Sequence, residues 1–548
     1  MARWKKIAIV IISAGAIFTI GKACGWWGKT TANDPNTLSY ALGADIQTMD
    51  MSKATDQYSM SIMGNTEANL LRMNAKGEPE PELAKSVDVS ADGLTYTAKL
   101  RPNLRWSDGS KLTAQDFLYS WRRVVDPKTA SQYAYLTSGV KNADDIVAGK
   151  KPVKSLGVSV DGDTITFKLE HPMPQFKDLL TFGTFMPQKE SFVNKQGSKY
   201  GTTSDTQIYS GAYKFEGWNG TNNRFKMVKN PYYWDAKNVK TETIKWQVVN
   251  KPETIVQLYK RGVVDRAQIY TSPEIYKSNS KDKDVSNSPM AATTYLEYNQ
   301  SGANKFLSNT KIRQALNLST NRQVMVDQAS GGARKVATGY APTGLMKTPS
   351  GEDLAKYVNP HYEYDADQAK KLFAEGMQEL GQKQMKVTLL TDADNPISKN
   401  MVDYLKQSWE SNLKGIQVTE KIVPFKQRIQ DQAAGNFDIV LNNWTGDYPD
   451  GSTFYDLFKG VDTGQNNGRF KNQTYIDAIE KSDTTDANNP EARVNDFKTA
   501  EAALKDQANI NPIAFWPGYA LNRKNVKGVI INATGIPIDV THAYRTGK

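Results

Sequence analysis

The hydrophobic pattern of the second half of the chain converges on one junction. Phe437, Ile439 and Leu441 alternate with Asp438, Val440 and Asn442, which predicts a partly buried strand that ends at Trp444. Gly446, Pro449 and Gly451 then force a turn through Asp447 and Tyr448. Upstream, 386–390 and 416–422 read as strands, while 401–413 and 425–433 read as helices, so the two types alternate as in an α/β unit. In the first half, 37–42 reads as a short strand and a hairpin turns at Ala91-Asp92-Gly93. A loop through Trp106-Ser107-Asp108-Gly109 follows, then a helix capped near Thr113 with Phe117, Trp121 and Val124 on one face.

At 548 residues the chain is several domains long. With 39% hydrophobic and 23% charged residues, 26 Tyr and 11 Trp, it is too aromatic to be disordered and too polar to be polytopic in a membrane. Lys and Arg exceed Asp and Glu by 69 to 58, but the basic residues are scattered, and no helix-turn-helix, zinc-finger or RNP pattern accompanies them. A soluble surface is expected, and no nucleic-acid partner. Arg3, Lys5 and Lys6 precede an apolar run over 7–20, then small residues and Cys24, the pattern of an export signal. That run is too short for a spanning helix, which needs roughly twenty residues. Cys24 is the sole cysteine, so no intramolecular disulfide is available. Ala23, Gly28, Lys29 and Thr30 satisfy a relaxed phosphate-loop spacing, but they sit between the export segment and a polar tether instead of between a strand and a helix.

Asp447 is the candidate ligand-binding group. A carboxylate held in a cleft beside the Trp444 indole is costly unless paired, and a ligand ammonium is a sensible partner; an aspartate in an ordinary solvated turn is the alternative. Enzymatic readings fare worse. Asp438, Asp447 and Asp450 fall too close together to straddle a glycosidic bond. His171, His361 and His542 are the only histidines and no Gly-x-Ser-x-Gly elbow accompanies them, which gives a secreted hydrolase little support. Nor is there paired Cys or His spacing for zinc. No catalytic residue, metal or cofactor is expected.

Longer motifs then carry a resemblance. Pro81-Glu-Leu-Ala84, Leu94-Thr-Tyr-Thr97, Trp106-Ser-Asp-Gly109, Leu112-Thr-Ala-Gln-Asp-Phe117 and Tyr119-Ser-Trp121 come first. Tyr209-Ser-Gly-Ala-Tyr213, Lys229-Asn-Pro-Tyr-Tyr-Trp234, Ile312-Arg-Gln-Ala-Leu316 and Trp444-x-x-Asp447-Tyr448 follow. In this order they closely resemble the oligopeptide-binding proteins of bacterial ABC importers, the family 5 solute-binding group that includes dipeptide and nickel receptors. The resemblance implies an α/β, two-lobed periplasmic-binding-protein-like fold (type II, cluster C) with an additional α+β domain. Its expected divisions are a signal and lipoprotein segment over 1–24, a tether over 25–36, and lobe I from 33–66, 186–267 and 509–548. The extra domain covers 67–185 and lobe II 268–508.

The same resemblance implies that Asp447 receives a peptide α-ammonium. Asn443, Trp444 and Thr445 pair with the ligand backbone, and Thr55, Asp56 and Gln57 form a second pairing segment. Tyr133, Tyr295, Glu297 and Phe425 occupy pocket positions. Enteric-type members carry arginines that reach peptide carboxylates where this chain has Leu441 and Gln432, so those charges do not hold the far end of its ligand. Cys24 resembles a bacterial lipoprotein cleavage site, with Ala23 matching and Gly21 and Lys22 departing from the pattern. The expected protein is a monomeric oligopeptide receptor at the outer face of the cytoplasmic membrane, lipid-anchored and partnered with ABC permease subunits. A receptor for a signalling or cell-wall peptide is the alternative within the fold; few histidines disfavour a nickel chelate.

Overall fold

Leu38, Tyr40 and Leu42 alternate with small and polar residues and form the strand Thr37–Leu42, the edge of a four-stranded sheet. It pairs in parallel with Thr243–Val248, which is followed by antiparallel Arg224–Lys229 and Tyr213–Glu216. The computed structural model describes residues 34–288, 290–460 and 465–547. The export segment, most of the tether and Cys24 lie outside the described residues. Helix Gln57–Thr66 packs against Tyr213–Glu216. Its first turn is fixed by Asp56, whose Oδ1 accepts from the Tyr58 and Ser59 amides at 3.0 and 2.9 Å and whose Oδ2 accepts from Ser59 Oγ at 2.6 Å.

A second four-stranded sheet is antiparallel, in the order Ala84–Val89, Thr95–Leu100, Thr164–Lys168, Val158–Asp161. Gly93, at φ +71°, makes the tight turn of its first hairpin, a conformation that L side chains rarely adopt. Helix Ala114–Val125 covers this sheet and begins as its sequence suggests, the Thr113 amide donating to Asp116 Oδ2 at 2.7 Å. Trp121 stacks on Phe185 at 4.2 Å and packs beside Phe167 and Phe176, all buried.

The largest sheet has six strands, in the order Lys335–Val336, Ile510–Phe515, Ala292–Tyr298, Ile439–Thr445, Met385–Asp392, Ile416–Val423. Met385–Asp392 runs parallel to both of its neighbours and the other pairs are antiparallel. Asn395 caps helix Pro396–Asn412, which therefore starts earlier than its apolar periodicity alone indicates. Ile439–Thr445 is buried on both faces through Asn442 because it sits centrally, so the expected half-exposed alternation does not hold there.

A three-stranded sheet, Arg266–Gln268, Tyr519–Asn522 and Val285–Asn287, packs with Ala41 and Val249 beside the first sheet. The chain thus passes into the six-stranded sheet between Asn287 and Ala292 and leaves it between Phe515 and Tyr519. These crossings differ from the expected divisions at 267/268 and 508/509. Ile510–Phe515 pairs with Ala292–Tyr298, and Val285–Asn287 pairs with Tyr519–Asn522. The two crossing segments touch, the Ser288 amide donating to Gly518 O at 3.1 Å.

Candidate functional site

Strand Ile439–Thr445 reaches the site with one edge open. Its antiparallel ladder with Ala292–Tyr298 includes the Gly446 amide donating to Ala291 O at 2.8 Å. Because bonded pairs alternate, the same register turns the backbone of Trp444 and Asn442 toward that neighbour and the backbone of Asn443 and Thr445 away from it. On the far side, Met385–Asp392 pairs only with Ile439 and Val440 and then diverges. The edge of Asn443 and Thr445 consequently borders a cavity of about 1470 Å³, part of it open to solvent. Thr55, Asp56 and Gln57 line it from the other side.

Asp447 lies just past this edge, where Gly446 ends the strand. It is 8% exposed. Its Oδ1 accepts from Tyr133 Oη at 2.9 Å, its amide donates to Thr453 Oγ1 at 2.8 Å, and its Oδ2 is buried without a hydrogen-bond partner. Burial pushes its pKa up to about 8, against the opposing Tyr133 hydrogen bond. A buried carboxyl oxygen without a donor is a position where a cation would favour the ionised form. Trp444 Nε1 donates to Thr453 O at 3.0 Å, which fixes the indole beside it. Gly535, at φ +67°, closes the other side; a Cβ there would lie 2.9 Å from Asp447 O.

Tyr133, Phe425, Asn443, Trp444, Thr445 and Asp447 all line the cavity, as does the segment Thr55 to Gln57. Tyr295 and Glu297 do not. They stand one layer behind, on the central strand Ala292–Tyr298, both of whose faces are covered. Tyr295 Oη accepts from Asn442 Nδ2 at 2.9 Å, and Glu297 Oε2 accepts from Gln432 Nε2 at 3.2 Å. These two support cavity-lining side chains. Burial pushes Glu297 up to about 7.

The model of the bacterial extracellular solute-binding proteins, family 5 Middle, matches residues 78–466. A dipeptide-binding protein of Lactococcus lactis subsp. cremoris is 41% identical over 552 residues, covering 98% of each chain. The chain belongs to family 5 of the bacterial extracellular solute-binding proteins. Listeria monocytogenes OppA bound to peptide matches this family 5 protein with a TM-score of 0.88 and 32% identity, over 94% of this chain and 99% of that one. Its fold is accordingly the two-lobed type II arrangement with an added α+β unit. The Escherichia coli murein tripeptide binding protein MppA matches at 0.83, with 27% identity over 93% of this chain and 98% of that one. The unliganded open form of MppA, at the same identity and coverage, matches at only 0.61. The family 5 protein described here therefore has its lobes arranged unlike that open form. Contacts across the cavity agree: Asn250 Nδ2 donates to Asp394 Oδ1 at 2.7 Å, and Tyr58 meets Phe425 edge-on at 5.4 Å.

The end of the cavity remote from Asp447 holds groups that sequence reasoning missed. Arg428, 2% exposed, places Nε 3.3 Å from Asp392 Oδ2, while its Nη1 donates to Gln432 Oε1 at 2.6 Å and to Asn442 Oδ1 at 3.0 Å. Burial lowers its pKa and raises that of Asp392, each opposed by the other's charge. Arg428 follows Phe425 by three residues on helix Phe425–Ala433, so the helical repeat was the signal that could have found it. Asp392 and Asp394 stand at the carboxyl end of a parallel strand, a recurrent place for ligands in α/β sheets. Of the two positions lacking the enteric arginines, Gln432 faces the cavity and Leu441 is buried in the core of the six-stranded sheet.

Proposed function

We propose that this protein captures oligopeptides in the interlobe cavity, outside the cytoplasmic membrane, and delivers them to an ABC permease. The observation that carries this is the unpartnered Oδ2 of Asp447 beside the open edge of Asn443 and Thr445. An α-ammonium satisfies the first, and a peptide backbone, which presents a donor and an acceptor at most residues whatever its sequence, satisfies the second. Side chains then meet roomy walls that water can fill at modest cost, which favours breadth over a single ligand. The peptide-bound relative supports the same use of the cavity.

Anchoring through a lipid on Cys24, monomeric action, and the residue bounds of lobe I, lobe II and the extra domain belong to this proposal. Native mass spectrometry of the protein purified from its host, followed by unfolding and identification of what is released, tests the ligand. A heterogeneous set of short peptides is expected. An empty protein that also ignores added peptide libraries refutes it, and one defined peptide replaces it with a dedicated signal or wall-fragment receptor. Mass spectrometry of the mature amino terminus tests the anchor: a lipid-modified Cys24 is expected, and unmodified residues upstream of it rule the anchor out.

A further inference from the structure

A second cavity, of about 730 Å³ and partly open to solvent, lies against the first four-stranded sheet. It adjoins the ligand cavity, and the two share Gly43, Gln57, Tyr58, Ile255, Gln268 and Pro537 in their walls. Strand register sets one side of it. Tyr40 stands opposite Trp246 in the parallel pair Thr37–Leu42 and Thr243–Val248, so both side chains leave the same face and their rings lie 5.2 Å apart. Both residues are buried, yet Tyr40 Oη and Trp246 Nε1 have no hydrogen-bond partner.

Arg266, at the start of strand Arg266–Gln268, lines the same cavity and is half-buried. Its Nη1 donates to Asn522 Oδ1 at 2.8 Å, and that acceptor is neutral. Asp265, its neighbour in the chain, is engaged elsewhere: its carboxylate accepts from Arg545 Nη2 at 2.8 and 2.9 Å and from the Ser39 amide at 2.8 Å. Burial lowers the pKa of Arg266, and what opposes this comes from the phenols Tyr270 and Tyr40 instead of a carboxylate. Among the described residues no Asp or Glu lines this cavity. An indole N–H and a guanidinium can only donate, and a phenol can donate. The unmet need is therefore for an acceptor, and the guanidinium without a counter-charge makes it a negatively charged one. Water meets the donors but leaves the charge unbalanced.

We propose that this second cavity is a carboxylate subsite, in which an Asp or Glu side chain of the ligand, or its α-carboxylate, is held by Arg266, Trp246 Nε1 and Tyr40 Oη. It rests on the peptide-capture reading above and adds to it a partner for negative charge, away from Leu441 and Gln432. Gln57 lines both cavities and ends the segment Thr55 to Gln57, so a ligand residue paired there stands at the junction of the two.

Calorimetry on the full chain in detergent, freed of co-purified ligand, tests this with tetra-alanine peptides carrying Glu or Gln in turn at positions two, three and four, each with a free or an amidated carboxyl end. At one of these places the negative charge is expected to tighten binding about tenfold or more over its neutral counterpart, and the place tells a side-chain source from the chain end. Arg266→Gln brings that ratio close to one and Arg266→Lys keeps most of it. Tyr40→Phe removes only an unpartnered hydroxyl and lowers the ratio roughly fivefold. The neutral peptide is the reference within each variant, and Tyr40→Phe decides if Arg266→Gln does not fold. Peptides that bind with a ratio near one at every place overturn the subsite and leave peptide capture standing; so does a ratio that the variants leave unchanged. If no peptide binds, both fall together.

Discussion

Replacing Asp447 with Asn separates charge from shape at the amino-terminal end of the cavity. The side chain is nearly isosteric, and its Oδ1 still accepts from Tyr133. What disappears is the counter-charge of a buried ammonium. Removing one partner of a buried, hydrogen-bonded ion pair costs ~3–5 kcal/mol, so free-amine peptides lose ~100-fold or more in affinity. An amino-acetylated peptide behaves differently. In the closed wild-type protein it leaves Asp447 without a cation, and the carboxyl, with its pKa pushed up to about 8, is mostly protonated at pH 7. Taking up that proton from an ordinary solvated carboxylate costs about 4 kcal/mol at pH 7. The Asn variant escapes the cost, so acetylated peptides bind it at least as tightly as they bind the wild type. Calorimetry with one peptide in both forms, against both proteins, reads four affinities. Equal losses for the two forms would refute the ammonium role of Asp447.

Tyr133→Phe removes the hydroxyl donor to Asp447 and should weaken free-amine peptides by ~1.5 kcal/mol, roughly tenfold, in the same assay; an unchanged affinity contradicts the contact. Gly535→Ala places a Cβ 2.9 Å from Asp447 O at a φ of +67°. It should cost ~1–3 kcal/mol in denaturant unfolding and weaken free-amine peptides, and a neutral effect on both would show that the turn yields freely. Trp121→Ala empties the cluster with Phe167, Phe176 and Phe185, and a loss of ~3–5 kcal/mol is expected in denaturant unfolding. A loss under ~1 kcal/mol would mean that the site collapses around the void.

Local patterns in the sequence located the strand-to-turn junction that carries Asp447, because the apolar strand, Trp444 and Gly446 are written nearby, whereas its reading as an ammonium receptor rested on the longer resemblance. The helices carrying Phe117 and Phe425 were equally legible, since each has a cap or an apolar face of its own. Tyr295 and Glu297 were given pocket positions by the resemblance alone, and the local pattern could not have refined that. Their strand is central and covered on both faces, so alternation carries no information about which side meets the cavity. The crossing points were hidden because Arg266–Gln268, Val285–Asn287 and Tyr519–Asn522 are too short to show a period, and their partners are distant in sequence. Asp394 escaped for a related reason: its place is set by contacts with Asn250 and Phe425 that only the fold assembles.

The raised pKa of Asp447 predicts a pH dependence of closure. Opening that let water reach this carboxylate would return its pKa toward the usual 3.8, from about 8 in the structure described. The closed form therefore binds the proton more strongly, and closure without a ligand is favoured as pH falls through that window. The cost carried by this group is ~4 kcal/mol at pH 7 and ~2 kcal/mol at pH 5, a change of one to two orders of magnitude in the ratio of closed to open. An arriving ammonium replaces the proton, lets the carboxylate ionise in place and removes most of that cost, so ligand shifts the population toward closure. Small-angle scattering of the ligand-free protein should then report a smaller radius of gyration at pH 5 than at pH 7. Asp447→Asn, neutral at both, should be compact at both and lose most of the pH dependence. A radius that does not change with pH in the wild type, or changes equally in the variant, would remove Asp447 from control of closure and leave it a binding group alone.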